Sequence, residues 1–89
     1  MSTQSWFVYL LQCDNALTYI GTSNDVERRF AAHQRGLGAK FTKINPPISI
    51  LGVEKFVDRS SACKAESALK RRTKQQKLAW AAQNPYDSP

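Results

Sequence analysis

A small α/β (α+β) domain is the fold class this chain predicts, and three observations predict it. Residues 6–11, 17–20 and 48–57 are short runs rich in β-branched and aromatic side chains, the composition of strands. Residues 25–35 and 60–82 instead repeat apolar side chains at helical spacing. The 89 residues suffice for a modest core, so the expectation is a single domain over 1–83 and a flexible tail over 84–89.

The first two strand-like runs are joined by Asp14-Asn15, residues suited to a tight turn, and read as a hairpin. The second run is expected to turn at Gly21. Asn24 then offers an N-cap with Glu27 at capping-box spacing, and Asp25 and Glu27 place negative charge in the first helical turn. Gly36 is the natural C′ stop. On a helical wheel Val26, Phe30 and His33 share one side, Arg29 lies beside them four residues before His33, and Arg28 points away. Two uses are open for the turned-in pair. They snorkel along the apolar face to water, or they serve a site.

After Gly36-Leu37-Gly38, a flexible connection, residues 39–43 are long enough for one helical turn. Lys40 and Lys43 on it either meet phosphate or sit in a solvated loop. Asn45-Pro46-Pro47 forces extended chain. In the third run Ile48, Ile50 and Gly52 alternate with Ser49, Leu51 and Val53, so both faces are partly apolar, as for a strand with helices on either side. Gly52 marks a bulge or a close backbone approach. Any of several residues over 58–61 is able to cap the second long helix. Its core stripe is expected to be Ala62, Ala65, Leu69, Thr73 and Trp80. Glu66 falls within that stripe, where a carboxylate needs either an ion-pair partner such as Arg29 or a bound cation. Lys70, Arg71, Arg72, Lys74 and Lys77 make the rest of this helix strongly basic.

Net charge is +6, with 42% hydrophobic and 22% charged residues, which is globular composition with an appetite for an anionic partner. DNA is the expected one, RNA an open alternative, and the phosphate-contacting set is Arg28, Lys40, Lys43, Lys70, Arg71 and Lys74. No apolar run approaches the roughly 18 residues of a membrane span, and the first residues lack a secretory pattern. Cys13 and Cys63 form no metal-type pair, and a reduced, cytoplasmic protein is expected.

Two strands that each present a tyrosine, followed by a helix that presents Arg29 and His33, resemble the GIY-YIG nuclease family. Phe7-Val8-Tyr9 stands in the first motif place, Tyr19-Ile20-Gly21 in the second, and Arg29 follows Tyr19 by ten residues as the family arginine does. The likeness runs from Trp6 to about Gln76. Within the family the chain looks most like the small bacterial UPF0213 (YhbQ-like) group, on its Gly36-Leu37-Gly38-Ala39-Lys40-Phe41-Thr42 segment and its Val26-Glu27-Arg28-Arg29-Phe30 helix. The resemblance implies a three-stranded antiparallel sheet flanked by helices, with the active site on one sheet face. It implies Tyr9 and Tyr19 as the paired motif tyrosines, Arg29 as catalytic arginine and Glu66 as metal ligand, with His33 at a position where many members carry histidine. Phe7 replaces the motif glycine and Val8 its isoleucine. Thr22 stands where excision-repair relatives have lysine. No residues are left here for an added recognition domain, so weak sequence selectivity is expected, with DNA shape or a protein partner supplying direction.

The expected chemistry is phosphodiester hydrolysis. Mg²⁺ (or Mn²⁺) on Glu66 would polarise phosphate, and Arg29 would offer a forked donor to its oxygens. Tyr9 is the favoured general base and Tyr19 orients water or phosphate. A phenol near pKa 10 is a poor base, so a nearby cation is expected to lower the pKa of Tyr9. The alternative is a nucleic-acid-binding module, or a subunit of a repair or recombination complex, with little catalysis of its own.

Overall fold

The computed structural model describes residues 5–86. Its elements are β1 (Trp6–Cys13), a 3₁₀ turn (Asp14–Ala16), β2 (Thr18–Ser23), α1 (Val26–Gln34), α2 (Lys40–Ile44), β3 (Pro47–Phe56), α3 (Arg59–Lys70) and α4 (Lys74–Gln83). The sheet has the order β2-β1-β3, antiparallel throughout. Alternation along β1 divides its side chains between two layers. Val8 and Leu10 join Ile20, Ala62, Leu69 and Ala81 beneath α3 and α4. Tyr9, Leu11 and Cys13 join Val26 on the face that carries α1. No helix among the described residues is long and apolar enough to cross a membrane.

Several local expectations are corrected. Gly21 does not turn the chain: it sits inside β2, paired with Tyr9, because the Tyr9 phenol lies across it. A Cβ at Gly21 would stand 2.4 Å from Tyr9 Oη, so only hydrogen fits. Asp25, not Asn24, caps α1, its carboxylate accepting from the Arg28 amide at 3.2 Å. The capping box therefore fails, and Glu27 accepts instead from the Tyr86 hydroxyl at 2.7 Å. At the other end Gly36 does what was expected. It takes φ 75°, and the Leu37 and Gly36 amides bond the Ala32 and His33 carbonyls in the 6→1 and 5→2 pattern.

The long second helix is two helices. Thr73 accepts from the Gln76 amide while the Gln76 side chain accepts from the Thr73 amide, a reciprocal cap that starts α4 afresh. Thr73 is accordingly exposed rather than part of the core stripe, whereas Ala62 and Leu69 are buried. Asp58 is the cap of α3, accepting from the Ser61 amide at 2.7 Å. Register slips between β1 and β3 leave Leu51 and Ile48 as extra residues, so the bulge and the close approach foreseen at Gly52 both occur there. A Cβ on Gly52 would lie 2.8 Å from the Ala81 Cα.

Asn84 to Tyr86, expected to belong to a loose tail, are tied down. The Val53 amide donates to the Asn84 carbonyl at 2.8 Å, Pro85 bridges Gly52, and Tyr86 reaches Glu27. The remaining tail residues, 87–89, lie outside the described residues. Both cysteines are free thiols. Cys13 is fully buried, and burial, then Asp14, pushes its pKa up, as befits a small apolar core residue.

Candidate active site

The site is built where β1, β2, α1 and α2 meet. Tyr9 projects from β1 toward α1 and is 1% exposed. His33, one turn past Arg29, is wholly buried, and its Nε2 lies 3.0 Å from Tyr9 Oη. Tyr19 of β2 packs 5.0 Å from the His33 ring and 6.5 Å from Tyr9, centroid to centroid. Glu66 approaches from α3 on the other face, half-buried, and its charge is felt by Tyr9, as is that of Arg29. Tyr19, Arg29 and His33 are thus gathered around the Tyr9 phenol, and Glu66 acts on it through its charge alone.

The imidazole tautomer follows from hydrogen-bond bookkeeping. The Thr42 hydroxyl has one proton and gives it to the Ala39 carbonyl at 2.9 Å. Its oxygen, 2.7 Å from His33 Nδ1, must therefore accept, so Nδ1 carries the ring proton. Nε2 is left with a lone pair aimed at Tyr9, whose hydroxyl donates to it. The chain of donors runs Tyr9 Oη–H to Nε2, Nδ1–H to Thr42 Oγ1, Thr42 O–H to Ala39 O. Every member is satisfied, and no buried side-chain polar atom among the described residues lacks a partner.

Sequence reasoning missed Thr42 and Gly38. Both readings of the segment, phosphate-meeting lysines or a solvated loop, concern Lys40 and Lys43, and the spacing of Thr42 from His33 carries no helical or strand signature. Only the Schellman turn at Gly36, which folds the chain back over α1, brings Gly38 and Thr42 onto the imidazole. A Cβ at Gly38 would lie 2.1 Å from Nδ1. Phe41 was likewise unforeseen. It stacks on Tyr19 at 5.9 Å and 25°.

Electrostatics correct a second expectation. The Tyr9 pKa is not lowered but pushed up to about 12. Burial is the largest cause, then the neighbouring Tyr19 phenol; Arg29 opposes them by hydrogen bonding and charge, and Glu66 adds a smaller push upward. Burial, then Arg29, holds the His33 pKa below its ordinary 6.5. The native state then binds fewer protons than the unfolded chain between those two pKa values, so stability rises with pH across that window. The contribution is complete above about 6.5 and is lost as pH falls through the native pKa. Urea midpoints are expected to fall between about pH 7.5 and pH 5. A titration of the single imidazole by NMR that gave a pKa at or above the ordinary value would contradict this.

Glu66 is paired, but not with Arg29. Its carboxylate lies 3.4 Å from Lys70 Nζ, one turn on. Among the described residues no three His, Cys, Asp or Glu side chains gather into a metal cage. A hydrated hard cation does not need one: Mg²⁺ keeps most of its waters and is held by one or two carboxylates, so the donor set fits such an ion with Glu66 as its protein ligand.

The basic residues are dispersed. Arg28, Lys40, Lys43, Lys70 and Arg71 are exposed. Arg71 lies with Lys64 and Ser67 on the outer side of α3, and Lys74 donates to the Ala16 carbonyl at the β-hairpin turn.

This architecture matches known proteins along most of its length. The GIY-YIG catalytic domain aligns with residues 5–79. The chain belongs to the GIY-YIG family. Within it the UPF0213 proteins are its relatives: that of Xanthomonas axonopodis pv. citri is 50% identical over 80 residues, 90% of this chain and 78% of the relative. That of Cupriavidus necator is 46% identical over 90 residues, all of this chain and 98% of the relative. Among solved structures, the E. faecalis protein EF2693 aligns with a TM-score of 0.60 at 34% identity, covering 96% of this chain and 94% of that one. The UPF0213 protein of Bacillus halodurans gives 0.55 at 28% identity over 89% and 84%. The GIY-YIG domain is that of a nuclease superfamily, and the names of these relatives state no reaction.

Proposed function

We propose that this GIY-YIG protein is a divalent-metal-dependent endonuclease on DNA, in which Tyr9 takes a proton from the attacking water while passing its own to His33. The observation that supports this reading is the chain from Tyr9 Oη through the His33 ring to Thr42. A phenol with its pKa near 12 holds its proton at neutral pH and is no base by itself. With a neutral imidazole as receiver, the phenolic oxygen gains the water proton as its own moves to Nε2. Hydroxide attacks phosphorus, the 3′ oxygen leaves, and the imidazolium formed keeps its Nδ1–H bond to Thr42. Arg29 presents two parallel N–H donors to the phosphate oxygens, and Tyr19 orients water or phosphate beside it. Glu66 would hold Mg²⁺ or Mn²⁺, which when bound polarises the phosphate and stabilises the leaving oxygen.

The cutting would be directed by DNA shape, single-stranded, duplex or branched, in repair or recombination. A catalytically silent nucleic-acid-binding module, or a subunit of a repair complex, is the second reading, and the Glu66–Lys70 pair favours it by occupying the carboxylate. Labelled DNA of each shape, incubated with Mg²⁺, Mn²⁺ or EDTA, separates the two. Expected is metal-dependent cleavage that Glu66→Ala lowers by about 10²-fold or more, with metal-free DNA affinity kept within about two-fold. Substrates left intact in both metals, yet bound, would sink the nuclease in favour of the module.

A further inference from the structure

On the Arg29 side of α1 lies a groove of about 520 Å³ lined by Trp6, Thr22, Asp25, Arg28, Arg29 and Arg59 among others. Its walls come from elements far apart in sequence: the strand ends, the first turns of α1, and the first residue of α3. Three guanidinium groups border it, and all three residues are exposed. Its carboxylate, Asp25, is engaged in capping α1. Among the described residues the ion pair present is Lys70–Glu66, so none of these arginines is neutralised by a carboxylate. Like charges repel, and such convergence is unfavourable unless an anion completes it.

Arg59 is held in a particular way. Its guanidinium carbon sits 5.4 Å from the centroid of the Trp6 ring. A guanidinium held against an aromatic ring by this cation–π contact still has N–H donors to offer a planar acceptor. Arg29 belongs to both the groove and the Tyr9 site.

We infer that this groove is a second phosphate subsite, in which Arg28 and Arg59 grip the DNA phosphate next to the one presented to Tyr9 and Arg29. The inference rests on the nuclease reading for the position of the scissile phosphate, but not on turnover. Trp6 acts as the platform that keeps Arg59 extended. Thr22, another lining residue, is uncharged and leaves the positive charge of the groove to the arginines. The ligand is a strand backbone, read without regard to base.

The test is metal-free binding of a labelled single-stranded oligodeoxythymidine over a salt series, so that no chemistry intervenes. Arg59→Gln is expected to weaken binding several-fold and to flatten the slope of log K against log salt by about 0.7, one phosphate contact on a single strand. Arg59→Lys should keep the slope while binding less tightly, because charge survives and the fork does not. Lys55→Gln, an exposed cation outside the groove, is expected to change neither. An Arg59→Gln protein that binds like wild type, or equal losses in Arg59→Gln and Lys55→Gln, would overturn the subsite, as would wild type that fails to bind. Cleavage assays then separate the two claims. Altered binding without cutting by wild type retains the groove and removes the nuclease, while full cutting with unaltered binding by Arg59→Gln does the reverse.

Discussion

Tyr9→Phe is expected to lower DNA cleavage by roughly 10³- to 10⁴-fold, the upper range for removing a positioned acid–base group. The phenylalanine ring fills the same space, so folding should survive, at a cost of about 1–3 kcal/mol for the Nε2 acceptor left unpaired in a dry site. Thr42→Val probes the same chain from its far end. Valine matches threonine in shape and removes the acceptor that fixes the Nδ1–H tautomer. A proton moved to Nε2 would face the Tyr9 hydroxyl donor-to-donor and block the transfer. The expected loss is about 10²-fold or more, since a wrong tautomer in a comparable triad costs ~10⁴. Thr42→Ser should restore most of the rate. The readout that a merely structural role would leave unmoved is the pair of ring ¹⁵N shifts. His33 is the chain's only histidine, so selective labelling reports it alone. Wild type is expected to show a protonated Nδ1 and a bare Nε2, and Thr42→Val a mixture. Unchanged shifts in the valine variant would refute the proposed lock.

Gly38→Ala should damage stability and activity together. The added methyl would sit 2.1 Å from His33 Nδ1, 2.6 Å from Cε1 and 2.8 Å from Cγ. The imidazole is fully buried and bonded at both nitrogens, so it has nowhere to retreat. Overpacking of this kind costs about 3 kcal/mol, and at several degrees per kcal/mol in so small a domain the midpoint should drop by ~15 °C. Gly36→Ala is the control. There the strain is in the backbone, at φ 75°, while the new methyl would meet only Lys43 Cγ at an ordinary 3.8 Å. Its cost should stay near 1 kcal/mol, with cleavage little changed. Equal midpoints for the two variants in thermal melts would mean that the chain at Gly38 gives way more easily than its contacts imply.

The pattern of strands and helices was legible because it follows from local rules. Alternation in the β1 and β3 runs and the apolar spacing in α1 required no knowledge of neighbours. The Gly36 stop was equally plain, since φ 75° is a glycine's conformation wherever it occurs. Errors fell where two local rules competed. Asn24 and Asp25 both qualify as caps, and Ser23, which accepts from the Asp25 amide at 2.9 Å, decides between them. The break at Thr73 was a capping box hidden inside an apolar stripe, and a wheel drawn through it reads straight on.

By itself the sequence determined on which elements the candidate residues stand: Tyr9 and Tyr19 on neighbouring strands, Arg29 and His33 one turn apart, Glu66 on a later helix. That much depends on periodicity, a property of the chain. Tertiary structure alone decided their electrical state. Enclosure takes Tyr9 and His33 out of water, which disfavours the charged form of each and so raises the phenol while lowering the imidazole. It also brought Thr42 and Gly38 against His33 and swung Arg59 onto Trp6. Those contacts join residues with no periodic relation, and only the packing of separate elements creates them.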